Sequence, residues 1–186
     1  VARHDGTFVG TPNYYSSPYS MGFAFTSNAY LRVADTEALR LTNAFTLSAW
    51  VYQVRDWLSP YAVIAGREGE YLLARGPNGN IHYSIANTDP GWGWVDTGIR
   101  MDRERWTKLA LTYDGTAISL YKNGRLLYAR PANGLIGDTA PAENEFRVAA
   151  RQKAGEPSYF DGTADDVELV NRAMTLAEIE AAYYSA

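Results

Sequence analysis

The chain reads as an all-β protein: a two-sheet antiparallel jelly-roll sandwich with a short C-terminal helix. Three observations predict this. Apolar and polar residues alternate with period two in several short runs, Asn-Gly and Asp-Gly pairs separate consecutive runs, and a helix-start signature stands near the end.

The run from Ala44 to Tyr52 is the clearest strand. Phe45, Leu47, Ala49 and Val51 fall on one face; Thr46, Ser48, Trp50 and Tyr52 fall on the other. Ile81, Tyr83 and Ile85 alternate with His82, Ser84 and Ala86, and Leu109, Leu111 and Tyr113 alternate with Lys108, Ala110 and Thr112. Ile118 to Lys122 and Phe146 to Ala150 add two strands, and Val167 and Leu169 are read as the start of the last one. Asn78-Gly79, Asp114-Gly115 and Asn123-Gly124 supply residues that tolerate positive φ, as two-residue hairpin turns require, so consecutive strands should pair antiparallel. Thr175 with Glu178 three residues later forms a capping box, and Leu176, Ile179 and Tyr183 follow at helical spacing, which predicts a helix near 175–184. The longest irregular stretches are Tyr14 to Met21, Arg55 to Tyr61, Thr88 to Gly98 and Arg130 to Asn144, and long loops on a β scaffold often carry binding residues.

The 186 residues suffice for one core, so residues 1–186 are read as a single domain. A hydrophobic fraction of 46% with 20% charged residues is globular composition and excludes a disordered chain. The net charge of −4, with no basic stripe, argues against a nucleic-acid partner. The absence of Cys excludes disulfide staples and thiolate metal sites, and no apolar run is long enough to span a membrane. The first residues lack both a starting Met and a signal-peptide pattern, so the chain is expected to be a mature product or a piece of a larger secreted protein.

The order of the motifs carries a resemblance. Asp5-Gly6-Thr7-Phe8, Gly22-Phe23-Ala24-Phe25 and Tyr30-Leu31-Arg32-Val33 come first. The run from Phe45 to Val51, Trp106 to Gly115 and Leu120 to Gly124 follow. Phe160 to Val167 and Asn171 to Thr175 close the series before the helix. Taken together these resemble the laminin-G-like domains of the concanavalin A-like lectin/glucanase superfamily. The resemblance implies one concave and one convex sheet, a non-catalytic module of a secreted or cell-surface protein, and in many members a calcium ion at the sandwich edge. Calcium would be held by Asp165 or Asp166, with His4, Gly6 and neighbouring carbonyls completing the shell; oxygen donors of this kind suit it. The alternative is that Asp165 accepts backbone N–H groups and Asp166 is solvated. The segment preceding Asp5-Gly6 is shorter here than such domains usually have, so part of a calcium loop could be missing.

Glycosidases on such a fold align carboxylates at alternating positions of one strand. The carboxylates nearest to that spacing are Glu68/Glu70, Glu143/Glu145 and Asp166/Glu168, each too short a series, and the two histidines, His4 and His82, form no triad or metal pattern. The chain is therefore read as a binding protein without catalytic residues. Asn87 to Trp94 supplies flat aromatics for sugar C–H faces and polar groups for hydroxyls. Trp92, Trp94, Asp89, Arg67, Tyr71 and His82 are the candidate ligand residues, and Trp57 and Tyr61 extend the rim. Arg67 would clamp an acidic sugar through its planar fork, or else pair with Glu68 or Glu70. Tyr71 joins the face only if its strand phase matches that of His82, and either Trp could instead plug the sandwich end. Trp50 and Trp106 are read as sheet-covering. The partner expected is a polysaccharide or glycan; the alternative is a protein partner met by the same loops, as in an adhesion or structural module.

Overall fold

A computed structural model describes residues 5–11, 13–18, 21–25, 28–54, 61–156 and 158–185. His4 and Trp57 lie outside the described residues. In chain order the first strands are β1 (Thr7–Val9), β2 (Asn13–Ser16), β3 (Met21–Phe25), β4 (Tyr30–Val33), β5 (Phe45–Gln53), β6 (Ala62–Arg67) and β7 (Tyr71–Arg75). They continue with β8 (Asn80–Ile85), β9 (Val95–Arg100), β10 (Trp106–Tyr113), β11 (Ala117–Lys122), β12 (Arg125–Pro131), β13 (Phe146–Val148) and β14 (Gly162–Val170), followed by helix α1 (Leu176–Tyr184).

The strands form two antiparallel sheets of seven. One runs β1-β4-β13-β6-β7-β8-β9 and the other β12-β11-β10-β5-β14-β3-β2. All three predicted turns close hairpins between consecutive strands: β7–β8, β10–β11 and β11–β12. The tightest is Asn123-Gly124, both at positive φ (53° and 77°), which joins paired residues Lys122 and Arg125. At Asp114-Gly115 the Asp114 carboxylate accepts the Thr116 and Ala117 N–H groups, so the turn carries its own side-chain brace.

Phe45, Leu47, Ala49 and Val51 of β5 meet Ile81, Tyr83 and Ile85 of β8 and Leu109, Leu111 and Tyr113 of β10 in one core, as their alternation predicts. Helix α1 lies on the outer side of the second sheet, where Ile179 packs on Ala110 and Tyr121, and Tyr183 sits 5.6 Å from the Trp50 ring. Its capping box is complete: Thr175 Oγ1 accepts the Glu178 N–H and the Glu178 carboxylate accepts the Thr175 N–H. Trp106 also covers this outer side, over Gly22.

Several boundaries differ from the expectation. The last strand begins at Gly162, not near Val167, because Gly162, Thr163 and Ala164 pair with both β3 and β5. Asp165-Asp166 therefore stands mid-strand, at a bulge where Asp166 takes φ 46°. The predicted loops Tyr14 to Met21 and Thr88 to Gly98 contain most of β2 and of β9, edge strands with weak alternation.

Candidate aromatic face and its neighbouring pocket

The outer side of β6, β7 and β8 is where the aromatic candidates gather. Val63, Leu72 and Ala74 point away from the main core and are still almost fully buried, because Tyr61, Trp92 and Trp94 cover them. Tyr61 stacks on Trp94 with ring centres 4.3 Å apart and planes 11° off parallel, and meets His82 edge-on at 5.4 Å. His82, opposite Ala74, also faces outward; its Nδ1 lies 3.2 Å from the Asn80 carbonyl and its Nε2 3.9 Å from Asp96 Oδ2. Gly76 is needed beneath this ring, since a Cβ there would come within 2.3 Å of it. Burial alone would raise the Asp96 carboxyl, but the Gly98 N–H and the Asn80 and Asn78 amides outweigh it and hold Asp96 below the usual carboxylate range.

The loop that brings Trp92 and Trp94 here is tied at several points. The Asn87 side chain donates to the Asp89 carbonyl (2.6 Å) and accepts from the Gly91 N–H (3.1 Å). The Gly93 N–H donates to Ser84 Oγ (3.1 Å), and Thr88 and Asp89 donate to the Asn133 carbonyl. Asp89 is held by Arg130 at 3.0 Å and faces solvent beside it. Arg151 lies with its guanidinium carbon 5.5 Å from the Trp94 ring centre and grips Glu68 through two bonds of 2.8 and 2.7 Å. A cation near an indole with its counter-ion in place is a fixed, preorganised arrangement. Ser84 shares the phase of His82, as the alternation of β8 predicts. Sequence reasoning missed Arg151 and Asp96; no local pattern marks them, because only the fold brings β13's downstream loop and β9 to this face.

Tyr71 and Arg67 do not join that face. Tyr71 pairs with Ile85, so it shares the inward phase, its ring lies 5.1 Å from that of Phe45, and it donates its hydroxyl to the Leu39 carbonyl at 2.7 Å. Arg67 pairs with Tyr71 and Phe146 and turns inward at the end of the sandwich. There its side chain is 1% exposed and donates to Glu70 Oε1 (2.8 Å from Nε), Asp35 Oδ1 (3.0 Å) and the Asn144 carbonyl (2.6 Å). Its Nη2 also lies 2.7 Å from Glu70 Oε1. Nearly all its donors are taken, so the acidic-sugar clamp gives way to the ion pair with Glu70 that the spacing also allowed. Burial pushes the Glu70 carboxyl above its usual value, and Arg67 pulls it back only in part. Asp35 is held below the usual range, first by its bond from Arg40 and then by Arg67, against burial. A cavity of about 370 Å³ opens beside this cluster, lined by Arg67, Glu70, Leu41, Ile136, Pro141 and Asn144 among others.

The carboxylates weighed for catalysis are engaged elsewhere. Glu68 holds Arg151, Glu145 holds Arg32 and Arg147, and Glu143 accepts the Ala154 N–H. The described members of the calcium set are engaged otherwise. Asp165 stands opposite Trp50, on the side of the sheet facing away from the core, and its oxygens accept the Ser17 hydroxyl and the Asp166 N–H. Asp166 is ion-paired with Lys108. Gly6 packs on Leu31 in the other sheet, and among the described residues no three His, Cys, Asp or Glu side chains group as metal ligands.

No helix among the described residues is long and apolar enough to cross a membrane. No curated protein matches the chain. Among solved structures, domain 4 of AbnA, a GH43 extracellular arabinanase from Geobacillus stearothermophilus in complex with arabinotriose, superposes with a TM-score of 0.71 at 17% identity, covering 95% of this chain and 86% of that one. The botulinum neurotoxin serotype G binding domain gives 0.72 at 11%, covering 98% and 46%. The binding domain of botulinum neurotoxin DC in complex with SialylT gives 0.69 at 11%, with 98% and 46% covered. The chain thus spans about half the length of the toxin domains it matches. At these identities the likeness is one of fold. The family model of laminin-G type described as Concanavalin A-like lectin/glucanases superfamily matches residues 25–180, most of the chain, and the protein belongs to that superfamily.

Proposed function

We propose that the protein is a non-catalytic carbohydrate-binding module that acts outside the cell, and that the face built by Tyr61, Trp92 and Trp94 is where it meets its glycan. The observation that carries this reading is the Tyr61–Trp94 stack: two parallel rings on the outer side of a sheet, footed on Val63, Leu72 and Ala74 and held beside Arg151. Flat aromatic surface accepts the C–H face of a sugar, and His82, Asp96 and Arg151 at its border offer hydroxyl partners. The fold-level neighbours support the ligand class, since one was solved with arabinotriose and another with SialylT. Shallow, wet sites of this kind bind in the micromolar to millimolar range, and the bound glycan leaves unchanged.

The test is retardation of the protein in gels containing arabinan, xylan, β-glucan or a sialylated glycoprotein. The double variant Trp92→Ala/Trp94→Ala should lose at least tenfold in affinity for whichever polymer retards the native protein, about 1.4 kcal/mol, with an unchanged far-UV spectrum. Full retention of affinity in that variant would remove the face from the function. Release of reducing ends from the same polymers would overturn the non-catalytic reading.

A further inference from the structure

We propose that the cavity beside Arg67 is a second binding site, an end-on pocket for one uncharged sugar unit. It rests on the carbohydrate reading for its ligand class, but its position does not depend on the aromatic face. Two groups in it have hydrogen-bonding capacity to spare. Glu70 is 4% exposed and both of its contacts from Arg67 fall on Oε1, leaving Oε2 without a partner among the described residues. Asn144 spends its backbone carbonyl on Arg67, and its side-chain amide has no partner among the described residues. A carboxylate oxygen without a partner and a free amide offer acceptors and donors to adjacent hydroxyls, while Leu41, Ile136 and Pro141 present an apolar wall to ring C–H groups. The volume, about 370 Å³, lies at the lower end of small-molecule clefts, which run from about 300 to 1,000 Å³.

Charge selects the class. Arg67 is neutralised by Glu70 and Asp35, and Arg40 is also bonded to Asp35. Asp138 also lines the cavity and has no cation paired with it among the described residues. An anionic sugar would meet this carboxylate with no unpaired cation to receive it, and a polyol pays no such penalty. The turn between β6 and β7 serves both sites. Glu68 holds Arg151 beside Trp94, Glu70 holds Arg67 in the pocket, and Gly69 at φ 79° lets Thr139 donate to its carbonyl at 3.0 Å. A Cβ on Gly69 would lie 2.5 Å from the Ala140 nitrogen, so only glycine lets the pocket wall dock here.

The experiment is a ¹H–¹⁵N titration of the full chain with arabinose, galactose, glucose and mannose, and with glucuronate as the charged control. At least one neutral sugar should shift the amides of residues 69–70, 136–138 and 144 with millimolar affinity, and glucuronate should not. Asn144→Ala should weaken that response at least tenfold; it is preferred to Glu70→Gln, which also removes the counter-charge of Arg67. Trp92→Ala/Trp94→Ala should leave the response intact even where polymer retention is lost, which separates failure of this pocket from failure of the aromatic face. Silence of those amides with all four neutral sugars, an equal response to glucuronate, or loss of the response in the Trp double variant would each overturn the proposal.

Discussion

Arg67 shows how one side chain can be placed by chemistry and misplaced by pattern. Its spacing of three from Glu70 foretells an ion pair, and the pair is there. What the spacing does not contain is the direction. In the run Tyr71-Leu72-Leu73-Ala74 both phases are apolar, so alternation cannot say which residues turn to the core. Register decides it: Tyr71 opposite Ile85 faces inward, and Arg67 opposite Tyr71 follows. A guanidinium with 1% exposure survives there only because Glu70, Asp35 and the Asn144 carbonyl all accept from it. Arg67→Ala should therefore destabilise the protein by about 3–5 kcal/mol, because it strands two carboxylates at the sandwich end. Arg67→Lys should recover only part of this, since an ammonium cannot reproduce the fork. Urea midpoints at constant m-value give both numbers, and a loss below about 1 kcal/mol for the alanine variant would show that the carboxylates find water instead.

At the scale of elements, what was legible followed local chemistry. The three hairpin turns, the alternation of β5, β8 and β10 and the helix cap each depend on residues within a few positions of one another, and each stands where expected. The early start of β14 depends on a partner far away in sequence, and the edge strands β2 and β9, each paired only with its neighbour β3 or β8, alternate too weakly to announce themselves. The same contrast holds at the site: the Asn87–Trp94 loop and the polar phase of Ser84 were visible from local pattern, whereas Asn133, which tethers the loop from far along the chain, was not. The cap of α1 gives a pH test. Arg172 bonds both Glu178 oxygens (2.6 and 2.8 Å), and the Thr175 N–H and hydroxyl add to it, which lowers the Glu178 carboxyl to about 2 from an ordinary value of 4.5. A folded-state value below the unfolded one means that the stabilisation is complete above pH 4.5 and is lost as pH falls toward 2. The group is exposed, so the effect is local and screened by salt. In a carbon-detected titration the Glu178 carboxyl should have its midpoint near 2, and the helix amides should lose exchange protection over that window; Glu178→Gln should abolish the dependence. A midpoint at the ordinary value would show that the capping box is open in solution.

At the scale of the molecule, the topology stitches distant parts of the chain together. β14 inserts between β3 and β5, so a strand from the last third of the chain lies between two from the first, and one core joins both sheets. That arrangement is what leaves the outer side of β6–β8 available for the aromatic layer, and it also bears on calcium. Alternation in β14 points Asp165 away from the core, toward Ser17 at the end of β2, while Lys108 on the same outer face neutralises Asp166. A divalent ion there would have to displace an ammonium and a hydroxyl without gaining a third carboxylate from the described residues. Chelation should therefore leave the melting temperature where it is. The measurement is decisive in size: calcium at a hundred times its Kd would contribute about 2.7 kcal/mol, which moves the melting point of a domain this size by roughly 5–10 °C. Scans with EGTA and with millimolar calcium should coincide within a degree or so. A drop of several degrees on chelation would establish a calcium site, and the same pair of scans on Asp165→Asn would decide its place: a drop that persists sets the ion elsewhere in the molecule, and a drop that vanishes returns it to this strand.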